Sequence, residues 1–381
     1  MVRKVQLGAV ATVVMVLAVT MISCFCTLNS DTVYTEGRIT GKNSFGDSTI
    51  SLTKSDILDA GFSVYDTIDV TVRGITYHAV ITDTYAVLGI GSVFIYIGSA
   101  EDDTSLGMEF IDTNWEDGDV FTVERTGHED LKAEYPKICQ SKRTREQCGS
   151  DEEFANYREV TLGSISPGIL YRFSTPLKGN GDQRSATVNE LCKRDEVDYL
   201  IGLNMSAETV DNLIETGALD GTYYKTVYES GKVTNMLMST NMFTDKIAGG
   251  ILRAIINNVD NDTVFGISCT IGQDRTGFII MLIGILMGAG YDDLCDDFML
   301  SFCNYYGVEK GTKEYDLTCK NRFDTMLIGI HCYDDLKNYR QVDWGQDVSS
   351  FDIRSDAITF VKAQYDLTDS EINSLINRLS S

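Results

Sequence analysis

The sequence contains very little proline and histidine, with three residues of each among 381. So few prolines exclude a proline-rich linker between domains. The three histidines are His78, His128 and His331, and the cysteines follow no metal-ligand spacing. A zinc site needs several such ligands in register, so we predict neither a metal nor a cofactor.

Positive charge is also scarce. Lys and Arg number 32 against 56 Asp and Glu, which gives a formal net charge of −24. Nucleic acids and anionic membrane surfaces are poor partners for such a chain. Any phosphate site must be a local exception, which suits a small phosphate group better than a polyanion.

The N-terminus has the pattern of a targeting segment. Val2-Arg3-Lys4 precedes an uncharged apolar run from Leu7 to Ile22, and Ser23-Cys24 partly fits a lipoprotein cleavage box. We predict that residues 1–26 are a signal peptide or membrane anchor. The protein is then extracellular or at the cell surface, membrane-tethered or lipidated, and touches the membrane through this segment alone. The alternative is a buried N-terminal helix.

Residues 27–128 are β-rich. Short stretches with apolar residues at alternate positions are separated by Gly, Asp and Asn turns, which predicts a small all-β barrel or sandwich. The predicted strands are 48–52, 67–72, 77–81, 93–97 and 120–123. A charged connector, residues 129–149, follows; in it Cys139 and Cys148 flank a basic octapeptide and are spaced to close a small loop as a disulfide.

Residues 150–381 alternate helices with apolar strands, which predicts an α/β domain with a central sheet. Helices are predicted at 151–160, 185–194, 246–258, 278–287, 291–306, 315–336, 355–364 and 369–379, and strands at 168–174, 197–204 and 263–267.

The most informative stretch is Cys269-Thr270-Ile271-Gly272-Gln273-Asp274-Arg275-Thr276-Gly277. It lies between an apolar strand and an apolar helix, an arrangement in which backbone N–H groups and the helix dipole bind a phosphate. The same field favours the thiolate form of a cysteine at the start of the loop. An arginine six positions later can hold two phosphate oxygens. The stretch therefore predicts phosphoryl transfer to cysteine.

The spacing alone is weak evidence, because Cys139 and Arg145 repeat it. That copy lies in the charged connector, contains no glycine and has neither strand nor helix beside it. We interpret it as a coincidence.

The loop resembles the Cys-x5-Arg loop of the bacterial protein tyrosine phosphatase family, in the members whose loop reads His-Cys-x-x-Gly-Lys-Asp-Arg-Thr-Gly. The stretches 150–158, 168–176 and 304–308 are similar to further motifs of this family. Its clostridial members often carry a similar N-terminal β-domain, which is itself similar to the C-terminal barrel of S-adenosylmethionine hydroxide adenosyltransferases. The resemblance implies a tyrosine-phosphatase-like central sheet flanked by helices, preceded by the small all-β domain.

The resemblance also implies roles for residues of the loop. Cys269 would be the nucleophile, Arg275 the phosphate clamp and Asp274 the general acid, with Asp245 as the second choice of acid. Thr276 would hydrogen-bond the thiolate as it leaves, and Arg172 would support the site, bind substrate or form a plain salt bridge. The phosphate-binding residues would be Thr270, Ile271, Gly272, Gln273, Arg275 and Thr276.

Two positions depart from the family pattern. Ser268 replaces the histidine that orients the loop and favours the thiolate, and Gln273 replaces a lysine that meets additional phosphates. The primary hypothesis is an exported phosphatase acting on a phosphotyrosine protein or a small phosphate monoester. The alternatives are a weakened or inactive protein that binds phosphate or a phosphoprotein, and a surface adhesion protein whose β-domain binds a cell-surface ligand.

Overall fold

The computed structural model describes residues 33–43, 46–111, 113–140, 142–239, 241–258, 262–336 and 342–381. The predicted leader, residues 1–26, lies outside this part of the chain. Within the described ranges, no helix combines the length and apolar character needed to cross a bilayer.

The N-terminal part is a closed seven-stranded barrel rather than a sandwich. Around the barrel the strands follow the order β1-β2-β6-β5-β4-β3-β7, and only the β4–β5 pair is parallel. The alternation seen in the sequence supplies the core of the barrel: in β3, Ile68, Val70 and Val72 are buried while the residues between them are half-exposed. The strands are β1 Tyr34–Lys42, β2 Ser48–Ile50, β3 Thr67–Val72, β4 Ile75–Thr82, β5 Val93–Ile97, β6 Thr104–Met108 and β7 Val120–Gly127, with helix α1 Lys54–Asp59 after β2.

The connector contains helix α2 (Asp130–Glu134) and a single 3₁₀ turn, Arg145–Gln147. Cys139 and Cys148 are both free thiols. The disulfide expected between them is therefore not formed.

The C-terminal part is a five-stranded sheet with helices packed around it, in the order β11-β10-β12-β9-β8. All neighbouring pairs are parallel except β8–β9. Its strands are β8 Arg158–Glu159, β9 Leu170–Ser174, β10 Tyr199–Gly202, β11 Val233–Asn235 and β12 Phe265–Cys269. Its helices are α3 Asp151–Ala155, α4 Gln183–Arg194, α5 Ala207–Glu215, α6 Tyr223–Glu229, α7 Ile247–Ile256, α8 Asp274–Leu286, α9 Tyr291–Tyr306, α10 Lys313–Thr318, α11 Thr325–His331, α12 Ile353–Tyr365 and α13 Asp369–Leu379. The predicted α/β architecture preceded by an all-β domain is confirmed.

Helix α8 is the central helix of this part, and every residue from Thr276 to Leu286 is buried. A helix apolar on all faces needs neighbours on all sides. Helix α9, the sheet and α12 supply them, so the residues at the start of α8 are rigidly placed.

Two predicted helices are interrupted. The helix expected over 151–160 ends at Ala155, because Asn156 adopts a left-handed conformation with φ of 49°. The helix expected over 315–336 is broken by a π-helical segment, Cys319–Asp324, between α10 and α11. Both interruptions place side chains that the candidate site uses.

The barrel and the sheet domain share one hydrophobic cluster, to which the barrel contributes Leu88, Phe94 and Phe110 and the π-helical segment contributes Phe323. The backbones approach closely there: a Cβ on Gly89 would lie 3.1 Å from the carbonyl oxygen of Asn321. The barrel therefore packs directly on the helices behind the Cys269 loop.

Candidate active site

Cys269 ends strand β12 and is paired in register with Ser174 of β9. Residues 270–273 turn the chain, and α8 begins at Asp274. Backbone N–H groups at a helix N-terminus have no partner within the helix and attract an anion. Cys269 is 3% exposed, so a group that reaches it must be small or extended.

The loop requires glycine at position 272. Gly272 has φ of +71°, and a Cβ there would lie 2.5 Å from the carbonyl oxygen of Phe173. Both the dihedral angle and the close approach exclude larger residues. The loop is thus pressed onto strand β9.

Arg275 is held over the loop by backbone carbonyls. Its Nη1 donates to the carbonyl oxygens of Leu203 (3.2 Å) and Met238 (3.3 Å), and its Nη2 donates to Oγ1 of Thr270 (3.2 Å). Leu203 follows β10, Met238 follows β11 and Thr270 follows β12, and β10 lies between the other two strands in the sheet. The carboxyl ends of three parallel strands therefore orient the guanidinium without neutralising it.

A buried polar network binds the backbone carbonyls of the loop. Arg172 is 0% exposed, and its Nη2 donates to the carbonyl oxygen of Gly272 at 2.7 Å. Nδ2 of Asn156 donates to the carbonyl oxygens of Ile271 (2.9 Å) and Gly272 (3.2 Å). Arg172 thus positions the loop, and its burial leaves it no access to substrate.

Asp297 of α9 balances the charge of this network. It pairs with Arg172 and, at 2.8 Å from Nε, with Arg158. Burial alone would raise the pKa of Asp297, but the two arginines hold it below its usual value. Burial, with a smaller effect of Arg158, lowers the pKa of Arg172 to about 10. At neutral pH both groups remain charged.

Asp274 is fixed through one carboxylate oxygen. Oδ1 accepts from Nη2 of Arg322 at 2.6 Å and from Nε2 of Gln273 at 3.2 Å. Among the described residues, Oδ2 has no hydrogen-bond donor, and the side chain is 27% exposed. One oxygen is therefore held while the other has no donor among the described residues.

Arg322 connects Asp274 to the barrel. Its Nη1 lies 2.6 Å from Oε1 of Glu109 and 2.7 Å from the carbonyl oxygen of Leu88, and its guanidinium is 4.8 Å from the Phe110 ring centroid. Burial would lower the pKa of Arg322, but the two carboxylates raise it above its usual value. A barrel side chain thus orients an arginine that orients the candidate acid.

The other predicted residues occupy distinct places. Gln273 is 1% exposed, so its side chain supports Asp274 and does not meet a second phosphate as the replaced lysine would. Thr276 is buried, and its Oγ1 has no partner among the described residues. Ser268 is buried within β12. Asp245 accepts from the backbone N–H groups of Ser239 and Ile247, so it stabilises its own loop.

Sequence reasoning missed the residues that support the loop from a distance: Asn156, Arg158, Asp297, Arg322, Glu109 and Ser301, whose Oγ accepts from Nη2 of Arg172 at 3.2 Å. The stretch 150–158 resembles a motif of the family, but nothing in it assigns Asn156 to the loop. No local pattern marks Arg322 or Glu109. Within the described ranges, no group of three His, Cys, Asp or Glu side chains could hold a metal ion.

Comparison with known proteins identifies one family. Residues 224–380 match the model of the tyrosine phosphatase family. No curated protein matches the chain.

Two solved structures are similar to parts of the chain. An uncharacterized conserved protein from Thermotoga maritima is 13% identical over 24% of this chain and 35% of its own length, with a TM-score of 0.22. The core catalytic domain of the PP-IP phosphatase SIW14 from S. cerevisiae is 15% identical over 50% of this chain and 93% of its own, with a TM-score of 0.24.

The family match contains Cys269, the whole of α8 and the π-helical segment that bears Arg322. The part of the chain that matches the tyrosine phosphatase family, residues 224–380, therefore contains the central elements of the candidate site.

Proposed function

We propose that this protein is a cysteine-dependent phosphatase that hydrolyses phosphotyrosine or a similar phosphate monoester through a phosphocysteine intermediate. One observation carries the proposal. The guanidinium of Arg275 is bound to Thr270 beside the N-terminus of α8 and is fixed by two backbone carbonyls, with no carboxylate to neutralise it among the described residues. Cys269 opens the same loop, so a nucleophile and a preorganised anion site coincide.

In the first step the Cys269 thiolate attacks phosphorus and the bond between phosphorus and the ester oxygen breaks. Arg275 and the loop amides bind the equatorial oxygens, whose charge distribution changes in the transition state. Asp274 delivers a proton from Oδ2 to the departing oxygen, since Oδ1 is occupied by Arg322 and Gln273. The products are the free alcohol or phenol and phosphocysteine.

In the second step water attacks the phosphocysteine and the phosphorus–sulfur bond breaks. Asp274 takes a proton from the water, and inorganic phosphate and the thiolate are released. Oγ1 of Thr276, which lacks a partner in the resting site, donates to the departing sulfur. This contact would be made only as the step proceeds.

The first test is hydrolysis of para-nitrophenyl phosphate by the wild type and by Cys269→Ser. We expect the variant to lose activity and to retain bound substrate. Equal rates would contradict a cysteine mechanism.

Asp274→Asn then tests the acid, because the asparagine oxygen can still accept from Arg322 and Gln273. We expect a loss of about 10²–10⁴-fold with phenyl phosphate and a smaller loss with dinitrophenyl phosphate, whose leaving group needs no proton. Equal losses would exclude this role.

A second candidate is a protein that binds phosphate or a phosphoprotein without turnover. One observation favours it: Ser268 stands where the loops that this stretch resembles have histidine. Phosphate binding without hydrolysis of either aryl phosphate would select this candidate.

We also propose that residues 1–26 direct export and leave the protein tethered at the cell surface. The charged start and apolar run support this. Expression of the full chain and of residues 27–381, followed by protease treatment of intact cells, tests it. Protection of the full chain from protease would contradict surface exposure.

A further inference from the structure

A basic cavity adjoins the Cys269 loop. It has a volume of about 260 Å³ and is lined by Thr270 and Ile271 of the loop and by Ser174, the register partner of Cys269. Five basic residues line it: Lys142, Arg143, Arg145, Lys178 and Arg184. Its single acidic lining residue is Asp182, whose carboxylate caps α4. In a chain of net charge −24, this is a marked local reversal of sign.

Two of the five charges are already neutralised. Arg143 pairs with Glu153, and Nε of Arg145 lies 2.7 Å from Oδ1 of Asp151. These pairs fix the connector against α3. The basic octapeptide between Cys139 and Cys148 is thereby brought to the rim of the Cys269 loop.

The other three cations, Lys142, Lys178 and Arg184, have no carboxylate within ion-pair distance among the described residues. Arg184 is nevertheless rigid: its guanidinium lies 4.2 Å from the Phe154 ring centroid and 4.7 Å from that of Tyr305, and Nη2 donates to the carbonyl oxygen of Arg143 at 3.0 Å. Burial lowers the pKa of Arg184. A half-buried guanidinium held by rings and carbonyls keeps its charge for an incoming anion.

We propose that this cavity binds a second phosphate of the substrate, and that the substrate is a small organic bisphosphate. The inference rests on the proposed function, because the first phosphate is the one placed on Cys269. Arg184 supplies the fixed contact, while the exposed Lys142 and Lys178 close over the anion. The volume lies below the roughly 300–1,000 Å³ of sites for drug-sized ligands, which favours one phosphate and part of its carrier over a peptide.

Phosphate release from glucose 1,6-bisphosphate and from glucose 6-phosphate by the full chain tests the proposal. We expect the wild type to prefer the bisphosphate, mainly through a lower KM. The Lys142→Ala/Lys178→Ala double variant should reduce the ratio of the two kcat/KM values about tenfold, about threefold for each exposed contact. Salt should reduce the same ratio by screening the lysines. Lys193→Ala, an exposed lysine at the far end of α4, is the matched control and should leave the ratio unchanged.

Calorimetric titration of Cys269→Ser with the two sugar phosphates separates this inference from the proposed function. If the wild type hydrolyses neither compound but the bisphosphate still binds more tightly through the lysines, the cavity assignment stands and the phosphatase proposal fails. Equal affinity for both compounds, or a preference that the double variant leaves unchanged, would overturn the assignment. Tighter, lysine-dependent binding of an acidic phosphotyrosine peptide would show that the substrate class is wrong.

Discussion

Replacing Glu109 by glutamine is expected to stabilise the protein at pH 8 and to change its stability little below pH 4.5. Glu109 is 4% exposed and shares the guanidinium of Arg322 with Asp274. One positive charge is matched by Asp274, so Glu109 is a surplus negative charge in a buried position. Burial raises its pKa from 4.5 to about 8, more than the contact with Arg322 lowers it. Glutamine resembles the neutral form of this side chain.

The sign of the effect follows from proton binding. Below pH 4.5 Glu109 is protonated in both the folded and the unfolded chain, so its stabilising contribution to the free energy of unfolding is fully present. Between pH 4.5 and 8 the folded protein retains a proton that the unfolded chain has released, so the free energy of unfolding falls as pH rises. The full difference from 4.5 to about 8 corresponds to about 5 kcal/mol at 1.36 kcal/mol per pKa unit, as an upper bound. Above pH 8 both states are ionised and the loss is complete.

Urea unfolding from pH 4 to pH 9 measures this difference between the wild type and Glu109→Gln. Other titrating groups are common to both proteins and cancel. Glu124→Gln, which removes an exposed carboxylate from the same barrel, controls for the change in net charge. If the two curves stay parallel over the whole range, or if the glutamine variant loses stability relative to the wild type as pH rises, Glu109 is ionised in the folded protein and the argument is wrong.

Three further predictions concern the loop and its support. Gly272→Ala should weaken inorganic phosphate binding and destabilise the loop by about 1–3 kcal/mol because its Cβ would meet the Phe173 carbonyl; unchanged phosphate affinity in calorimetry would contradict this. Arg172→Met should lower the free energy of unfolding by about 3–5 kcal/mol by leaving Asp297 short of one partner, and a loss below 1 kcal/mol in urea unfolding would refute it. Thr276→Ala should leave the free energy of unfolding nearly unchanged, because the hydroxyl has no partner to lose among the described residues. It should slow hydrolysis of the phosphocysteine, so that rapid-quench kinetics show this intermediate accumulating. Absence of the accumulation would count against a role of Thr276 in releasing the thiolate.

The sequence allowed the local features of the site to be predicted. Strand, loop and helix around Cys269 are consecutive in the chain, so periodicity and one glycine identified them. The strands β3 and β5 and the helices α9 and α13 have the predicted bounds for the same reason. Prediction failed where tertiary contacts override local preference. The helix expected over 151–160 stops before Asn156, whose side chain instead binds the loop carbonyls.

What could not be predicted is the way distant segments meet at the loop. The Glu109–Arg322 pair joins residues 213 positions apart, and neither residue lies in a pattern that marks it. Arg275 is oriented by the backbone carbonyls of Leu203 and Met238. Every residue has such a carbonyl, so no sequence motif can reveal which ones bind the guanidinium. Such contacts depend on strand order and domain packing alone.

In the connector, neighbouring residues decide whether a basic side chain is neutralised or remains available to bind an anion. Arg145 repeats the Cys-x5-Arg spacing in the sequence, and the fold brings its segment to the rim of the Cys269 loop. There Asp151 neutralises Arg145, while Lys142 and Lys178 remain without a carboxylate among the described residues. The expectation that a protein of net charge −24 suits a single phosphate therefore applies to its surface as a whole. At the loop itself, the two unpaired lysines and Arg184 favour an anion with more charge than one monoester carries.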